Sequence, residues 1–434
     1  MSEQSAEPEG KRPRFTLIVT IEGLGTNLVG CYGGAIAPTK NWDSFACRSI
    51  VFDQFWTDAL LPADVLNSLW TGTPHARPLE SSDGDVESPL TAVLEQAMLV
   101  TDSMDAVEGV SHEAFGRVVL MEHDAASERV TSSEDEPSTN EHPTQFQALL
   151  EAALGEWATQ LDALPILWIH SKGLNGPWDA PYANRLIMCD EEDPLPPTEC
   201  EPANFEVTSE TDPDEIFGWA CAMGGQAIAF DDSWSMVEEI LGQLGIERDC
   251  LQILAGIQGY PIGEHGWIGH AGNALYAESL HLPLIVRPGN QLDVGVRVPF
   301  MVQPNSLLKT IASWIGQSSP STATDLVEET APLAAEQWPL KNQIAYASHE
   351  DQVHMEVPAW SCRWSRILNH VGQAEDRVEL FATPDDRWQQ NEVSQRAASI
   401  VDELTVLRNQ WLESVKNPAS ERTPLSSDLT HPMR

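Results

Sequence analysis

Residues 15–25 read FTLIVTIEGLG, a seven-residue run of apolar and threonine side chains that ends at an acid and opens into glycines. A run this apolar has no wet face, so it predicts a strand buried on both sides, Phe15–Ile21, with Glu22 at its carboxyl end. Working outward, similar runs recur at 117–121 (RVVLM), 165–170 (PILWIH), 251–255 (LQILA) and 283–287 (PLIVR), each bounded by polar, Gly or Pro residues. Helical periodicities lie between them, as at 231–244, where Trp234, Val237, Ile240, Leu241 and Leu244 share one face. The alternation predicts an α/β fold with a mostly parallel central sheet sandwiched by helices. In such folds ligands bind at the carboxyl ends of the strands, so the residues just after each run carry the functional argument.

The 434 residues include 66 Asp and Glu against 24 Lys and Arg, a formal charge of −42. This excess disfavours nucleic acid, whose phosphates need clustered Lys and Arg. Hydrophobic residues at 42% and 15 tryptophans distinguish the chain from a disordered acidic protein. No apolar run reaches the roughly 20 residues that span a bilayer, so no membrane partner is expected. The seven cysteines (Cys31, Cys47, Cys189, Cys200, Cys221, Cys250, Cys362) are scattered and never form a C-x-x-C pair. They read as reduced, packed thiols rather than a zinc site or a disulfide framework. Residues 1–14 are polar and predict an unstructured tail without a secretory leader, which places the expected location in the cytoplasm.

The predicted main domain covers 15–316, interrupted by an acidic Ser/Thr-rich insertion at 124–145 that has almost nothing to bury. A polar linker is expected at 317–340, then a small C-terminal α+β subdomain at 341–416 with a final helix from about 390 to 414, and an unstructured tail at 417–434. No repeat of 20 to 50 residues is present, which excludes solenoids and propellers.

Several segments, in order, resemble the sulfatase family of the alkaline-phosphatase superfamily. The opening LIVTIEGLGTNLVGCYGG (17–34), APTKNWDSFACRSIVFDQFW (37–56) and NSLWTG (67–72) are similar to the family's strand, Asp-Asp pair, Gly-Cys-Tyr-Gly turn and Ser-Leu-Leu-Thr-Gly helix. WIHSKGLNGPWDAP (168–181) resembles its central His segment. GYPIGEHGWIGHAGNALYAESLHLPLIVRP (259–288) resembles the segment ending Val-Pro-Leu-Ile-Val, and ELFATPDDRWQQNEV (379–393) the C-terminal signature. Together these long motifs are more specific than any single short match.

The resemblance implies a divalent metal, usually calcium, held by an Asp-Asp pair and a later Asp-His or Asp-Asn pair. It also implies a formylglycine nucleophile made from the Cys or Ser of Cys-x-Pro-Ser-Arg. This chain departs at nearly every such position. The first pair is Glu22-Gly23, which keeps one carboxylate. The second is Ile257-Gln258, an apolar residue and an amide. An ungapped count back from Gly72 puts Pro62 at the nucleophile position and Leu66 at the Arg position, and neither has the needed chemistry; sliding the register to Asp64 would offer only a carboxylate.

The surviving site-like residues are Glu22, His170, Asn175, His265 and His270, with His270 standing where the family has a sulfate-contacting Lys. Glu264 and Asp179 are read as loop braces, and Trp42, Trp70, Trp168 and Trp178 as core and pocket wall. Ser68 has no His or Asp at motif spacing for a serine hydrolase. The resulting expectation is a catalytically inactive pseudo-sulfatase with no cofactor and degenerate metal positions Glu22, Gly23, Ile257 and Gln258, taking an anionic or sugar-like small ligand. The alternative is an active sulfuric or phosphoric ester hydrolase that uses Glu22 and Gln258 with water or Asp64, with calcium if the site is intact. The sequence does not specify an oligomeric state.

Overall fold

The computed structural model describes residues 12–75, 91–108, 112–122, 129–130, 143–270, 272, 274–289, 294–314, 344–368, 374–383, 385–416 and 425–430. The 317–340 linker lies outside them, as does the 124–145 insertion apart from residues 129–130 and 143–145.

The strands in chain order are β1 (Phe15–Ile21), β2 (Ile50–Trp56), β3 (Ala97–Thr101), β4 (Arg117–Leu120), β5 (Ile166–Ser171), β6 (Phe205–Glu206), β7 (Cys250–Gly256) and β8 (Trp267–Ile268). They continue with β9 (His281–Leu282), β10 (Leu284–Arg287), β11 (Val296–Val302), β12 (Ala345–His349), β13 (Gln352–Val357), β14 (Trp360–Leu368) and β15 (Ala374–Ala382). Nine of them form one sheet in the order β11-β2-β10-β7-β1-β5-β3-β4, with β9 added to β2. All seven residues of β1 are buried, as the unbroken run predicts, and β1 pairs in parallel with β5 on one side and β7 on the other. One hydrophobic layer lies on each face of the sheet. The first packs the Gln145–Ala158 and Pro213–Gln243 helices, and the second packs the Pro62–Thr71 and Leu307–Trp314 helices.

β10 is antiparallel to both its neighbours. The 27 or so residues after β7 stay at the carboxyl end of the sheet, and a parallel return would require a crossover back to the other end. The 231–244 periodicity is the second half of a 31-residue helix, Pro213–Gln243. Its first half is buried almost continuously from Cys221 to Asp231, so it has no polar face to reveal the period.

The C-terminal subdomain is an antiparallel sheet, β12-β13-β14-β15, covered by the Ala398–Lys416 helix. Trp360, Trp364 and Leu380 of the sheet pack with Ile400, Leu404, Leu407 and Trp411 of the helix. The helix begins eight residues later than its apolar pattern predicts. Asp386 accepts the backbone N–H groups of Gln390 and Asn391, which holds this stretch in turns instead of helix. The expected C-terminal tail also needs correction: Leu429 is fully buried in the subdomain core, and Trp360 Nε1 donates to the Asp428 carbonyl. A buried leucine and a satisfied indole fix residues 425–430 to the subdomain. A smaller cluster of Trp56, Leu60, Leu275, Leu280, Met301, Ala345 and Ala347 joins it to the main domain. No helix among the described residues is long and apolar enough to cross a membrane.

Candidate functional site

Glu22 leaves β1 at the carboxyl edge of the sheet and is 3% exposed. His170 sits near the end of the adjacent β5, and its Nε2 lies 3.0 Å from Glu22 Oε1. After β5 the chain makes a tight turn, Gly173–Asn175. Gly173 adopts φ +50°, and a Cβ there would meet the Glu22 carbonyl oxygen at 2.2 Å, so only glycine lets this turn lie against β1. The Leu174 N–H then donates to the Glu22 carbonyl at 2.9 Å. That docking carries the Asn175 side chain onto Glu22, where its Nδ2 donates to Oε2 at 2.9 Å.

A third donor comes from Ser103, just beyond β3, whose hydroxyl reaches Glu22 Oε1 at 3.0 Å. Burial alone would push the Glu22 carboxyl pKa up. The hydrogen bond and charge of His170, with the bonds from Asn175 and Ser103, outweigh it and hold the pKa below the usual carboxylate value. With Glu22 ionised, His170 Nε2–H donates to it, and Nδ1 faces the Thr20 hydroxyl at 3.0 Å. Thr20 in turn accepts from Trp168 Nε1 at 3.1 Å.

Asn175 extends the network. Its Nδ2 also donates to Gln258 Oε1 at 3.1 Å, and its Oδ1 accepts from His270 Nε2 at 3.0 Å. Gln258, two residues beyond β7 and 2% exposed, donates through Nε2 to the Leu60 carbonyl at 2.8 Å. Burial lowers the His270 pKa to about 4 despite the Glu22 charge. The imidazole is therefore neutral, its Nε2 proton is committed to Asn175, and its Nδ1 has no partner among the described residues. Glu22, His170, Asn175, Gln258 and His270 thus meet at the carboxyl ends of β1, β5 and β7.

His265 does not join them. Its Nδ1 is 2.6 Å from Glu278 Oε1 and its Nε2 is 3.0 Å from the Gln389 carbonyl. Both partners are acceptors, so the doubly protonated ring satisfies both. Burial would lower its pKa, but the Glu278 bond and charge raise it above its ordinary value of 6.5. The ring stacks on Tyr276 with centroids 3.6 Å apart, and the Tyr276 hydroxyl bonds Glu379 and Arg363 of the subdomain sheet. His265 therefore belongs to the seam between the two domains.

The remaining candidates serve the framework. Pro62 is buried as the first residue of its helix, where its missing N–H costs nothing. Leu66 lies in the core, and Asp64 pairs with His75 at 3.6 Å. Ser68 donates to buried Asp58 at 2.8 Å, a partner that no motif spacing announced. Asp179 accepts from Gln145 N and Gln226 Nε2, and Glu264 from Ile262 N. Trp42, Trp70, Trp168 and Trp178 are all buried. Sequence reasoning missed Ser103 and Thr20. The only available signal for Ser103 was its place after a short apolar run, 97–101.

Do these residues fit a divalent cation? Gly23 has φ +78°, and a Cβ on it would fall 2.5 Å from Leu174 Cβ, so Leu174 occupies the place that a side chain on residue 23 would take. Ile257 is fully buried in the apolar layer beneath the sheet edge. Both Glu22 oxygens and Gln258 Oε1 already accept hydrogen bonds. Among the described residues no group of three or more His, Cys, Asp or Glu side chains is arranged to hold a metal ion. One carboxylate and two amide oxygens do not fit a cation that takes six to eight oxygens.

No protein-family model matches the chain, and no curated protein matches its sequence. Solved structures do match its fold. BT4656, determined in complex with its substrate D-glucosamine-2-N,6-O-disulfate, is similar at TM-score 0.70 and 14% identity, over 94% of this chain and 99% of that one. BT1596, a 2-O GAG sulfatase, matches at TM-score 0.68 and 15% identity, over 94% and 93%. The phosphonate monoester hydrolase of Agrobacterium radiobacter matches at TM-score 0.67 and 14% identity, over 94% and 96%. Across almost its whole length, the chain has the fold of these sulfatases and of this phosphonate monoester hydrolase.

Proposed function

We propose that this is a sulfatase-fold protein that does not hydrolyse sulfate or phosphate esters and that instead binds an anionic or sugar-like small molecule. The observation that carries the reading is the closure of Glu22. Its carboxylate accepts from His170, Asn175 and Ser103, so the one acid retained at the metal position is spent on internal hydrogen bonds. Ester hydrolysis in this fold needs concentrated positive charge opposite the leaving oxygen and a nucleophile in line with it. The position that an ungapped count gives to the nucleophile is Pro62, which starts a helix, and Leu174 fills the space beside Gly23. Neighbours of the same fold include a protein bound to a sulfated sugar, which supports the ligand class.

The test is turnover of aryl sulfate and aryl phosphate by the purified protein, with and without added calcium. The reading expects no rate above buffer in either case. Calcium-dependent turnover lost in Glu22→Gln would replace it with a hydrolase of unorthodox ligand set.

A further inference from the structure

A cleft borders Glu278, and none of its lining residues belongs to the Glu22 network. It offers about 350 Å³ and is lined by Thr26 and Asn27, Tyr32, Asp53, Glu278, His281, Arg297 and, from the subdomain, Arg387 and Trp388. This volume falls in the range of small-molecule sites, which commonly form at domain interfaces.

Three features of its wall remain unexplained by folding. Asn27 is 6% exposed, yet neither its side-chain oxygen nor its nitrogen has a hydrogen-bond partner among the described residues. A buried amide left unpaired on both atoms costs stability, so it marks a place where something else supplies the partners. Arg387 makes no ion pair among the described residues; its guanidinium lies over the Trp388 ring at 4.4 Å. Trp388 is 46% exposed in a protein that buries most of its tryptophans.

The charge balance follows from the neighbours. Arg297 pairs with Asp53 and donates to the Cys31 carbonyl at 2.7 Å. Glu278 is matched by the His265 imidazolium. His281 donates to the Asp53 carbonyl at 2.8 Å. Among the described residues that line the cleft, Arg387 is the guanidinium without an ion-pair partner, a positive centre on a chain of net charge −42.

We propose that this cleft binds a monosaccharide-sized ring bearing an acid group. A guanidinium selects an anion, the exposed part of the Trp388 indole accepts the C–H face of a saturated ring, and a buried amide that lacks a partner for both its donor and its acceptor is satisfied by neighbouring hydroxyls. An apolar ligand would leave Asn27 unpaired, and a bare inorganic anion would make no use of Trp388. The proposal takes its ligand class from the non-hydrolytic reading, but it places binding away from Glu22.

The test is titration of the full-length protein with D-glucuronate, D-glucose and inorganic sulfate, followed by tryptophan fluorescence and ligand-observed NMR. Glucuronate should bind saturably and more tightly than glucose. Arg387→Gln and Trp388→Ala, both at exposed positions that the fold does not need, should each weaken it about tenfold. His270→Gln should leave it unchanged. The proposal fails if glucuronate does not saturate, if glucose binds as well, or if sulfate binds as tightly as glucuronate. Loss of binding in His270→Gln with Arg387→Gln unaffected would also overturn it, while leaving the non-hydrolytic reading intact with the ligand at the Glu22 edge.

Discussion

Leu174 stands where a side chain on Gly23 would have to go: a Cβ on Gly23 would come within 2.5 Å of Leu174 Cβ. The same turn that brings Leu174 there carries Asn175 onto Glu22, so the absence of a side chain at position 23 and the bracing of Glu22 belong to one structural arrangement. Two adjacent carboxylates without a cation repel each other. Replacing one by an apolar contact and surrounding the other with donors removes that repulsion.

Gly23→Asp is expected to destabilise the protein by about 2 kcal/mol or more, since the new residue must hold a left-handed φ and displace Leu174. Urea unfolding of Gly23→Asp, Leu174→Ala and the double variant measures the coupling. The double variant should be more stable than the sum of the singles by at least about 0.5 kcal/mol. Strict additivity would mean that the two positions do not compete for space.

Glu22→Ala should cost about 3 kcal/mol, because it strands donors on His170, Asn175 and Ser103 in a buried setting. The loss should be the same in calcium and in chelator. A wild-type melting temperature that rises with calcium and a Glu22→Ala variant that does not respond would contradict this.

The positions of Glu22 and His170 were legible because their strands have no polar face: β1, β5 and β7 could only be buried, and sheet ends follow from strand ends. Asn175 was legible only through the central motif. Ser103 was not, since only two residues separate β3 from the Thr91–Leu94 helix and a buried apolar run does not show where helix ends and strand begins. His265 and His270 line one pocket beside Glu278, but His265 bonds Glu278 and the Gln389 carbonyl and takes no part in the Glu22 network. The chain between them turns through Gly266 and Gly269, both at positive φ, and a spacing argument cannot anticipate that reversal. The antiparallel course of β10 was hidden for a similar reason, because an apolar run shows burial and carries no direction.

His270 titrates near 4 in the fold against an ordinary 6.5, so the folded state binds fewer protons than the unfolded chain between those values. Its contribution to stability is present above pH 6.5 and is lost as pH falls towards 4, with a slope of at most about 1.4 kcal/mol per pH unit. His270→Gln, which keeps a donor for Asn175 Oδ1, should flatten that part of the pH–stability curve. Identical curves for the two proteins would show that the imidazole is already protonated or solvated.

His265 has the opposite sign. Its folded pKa lies above 6.5, so its bond to Glu278 stabilises fully below that pH and fades as pH rises through the folded value. His265→Gln should therefore be more damaging at pH 6 than at pH 9.5, by thermal melts in the two buffers. Equal damage at both would assign His265 a packing role on Tyr276 alone.

The central claim is that the Glu22 edge no longer supports ester hydrolysis. The most direct measurement is single-enzyme turnover of an aryl sulfate and an aryl phosphate by metal-stripped protein, before and after calcium is restored. The account predicts rates equal to buffer in every condition. A calcium-restored rate that disappears in Glu22→Gln would contradict it.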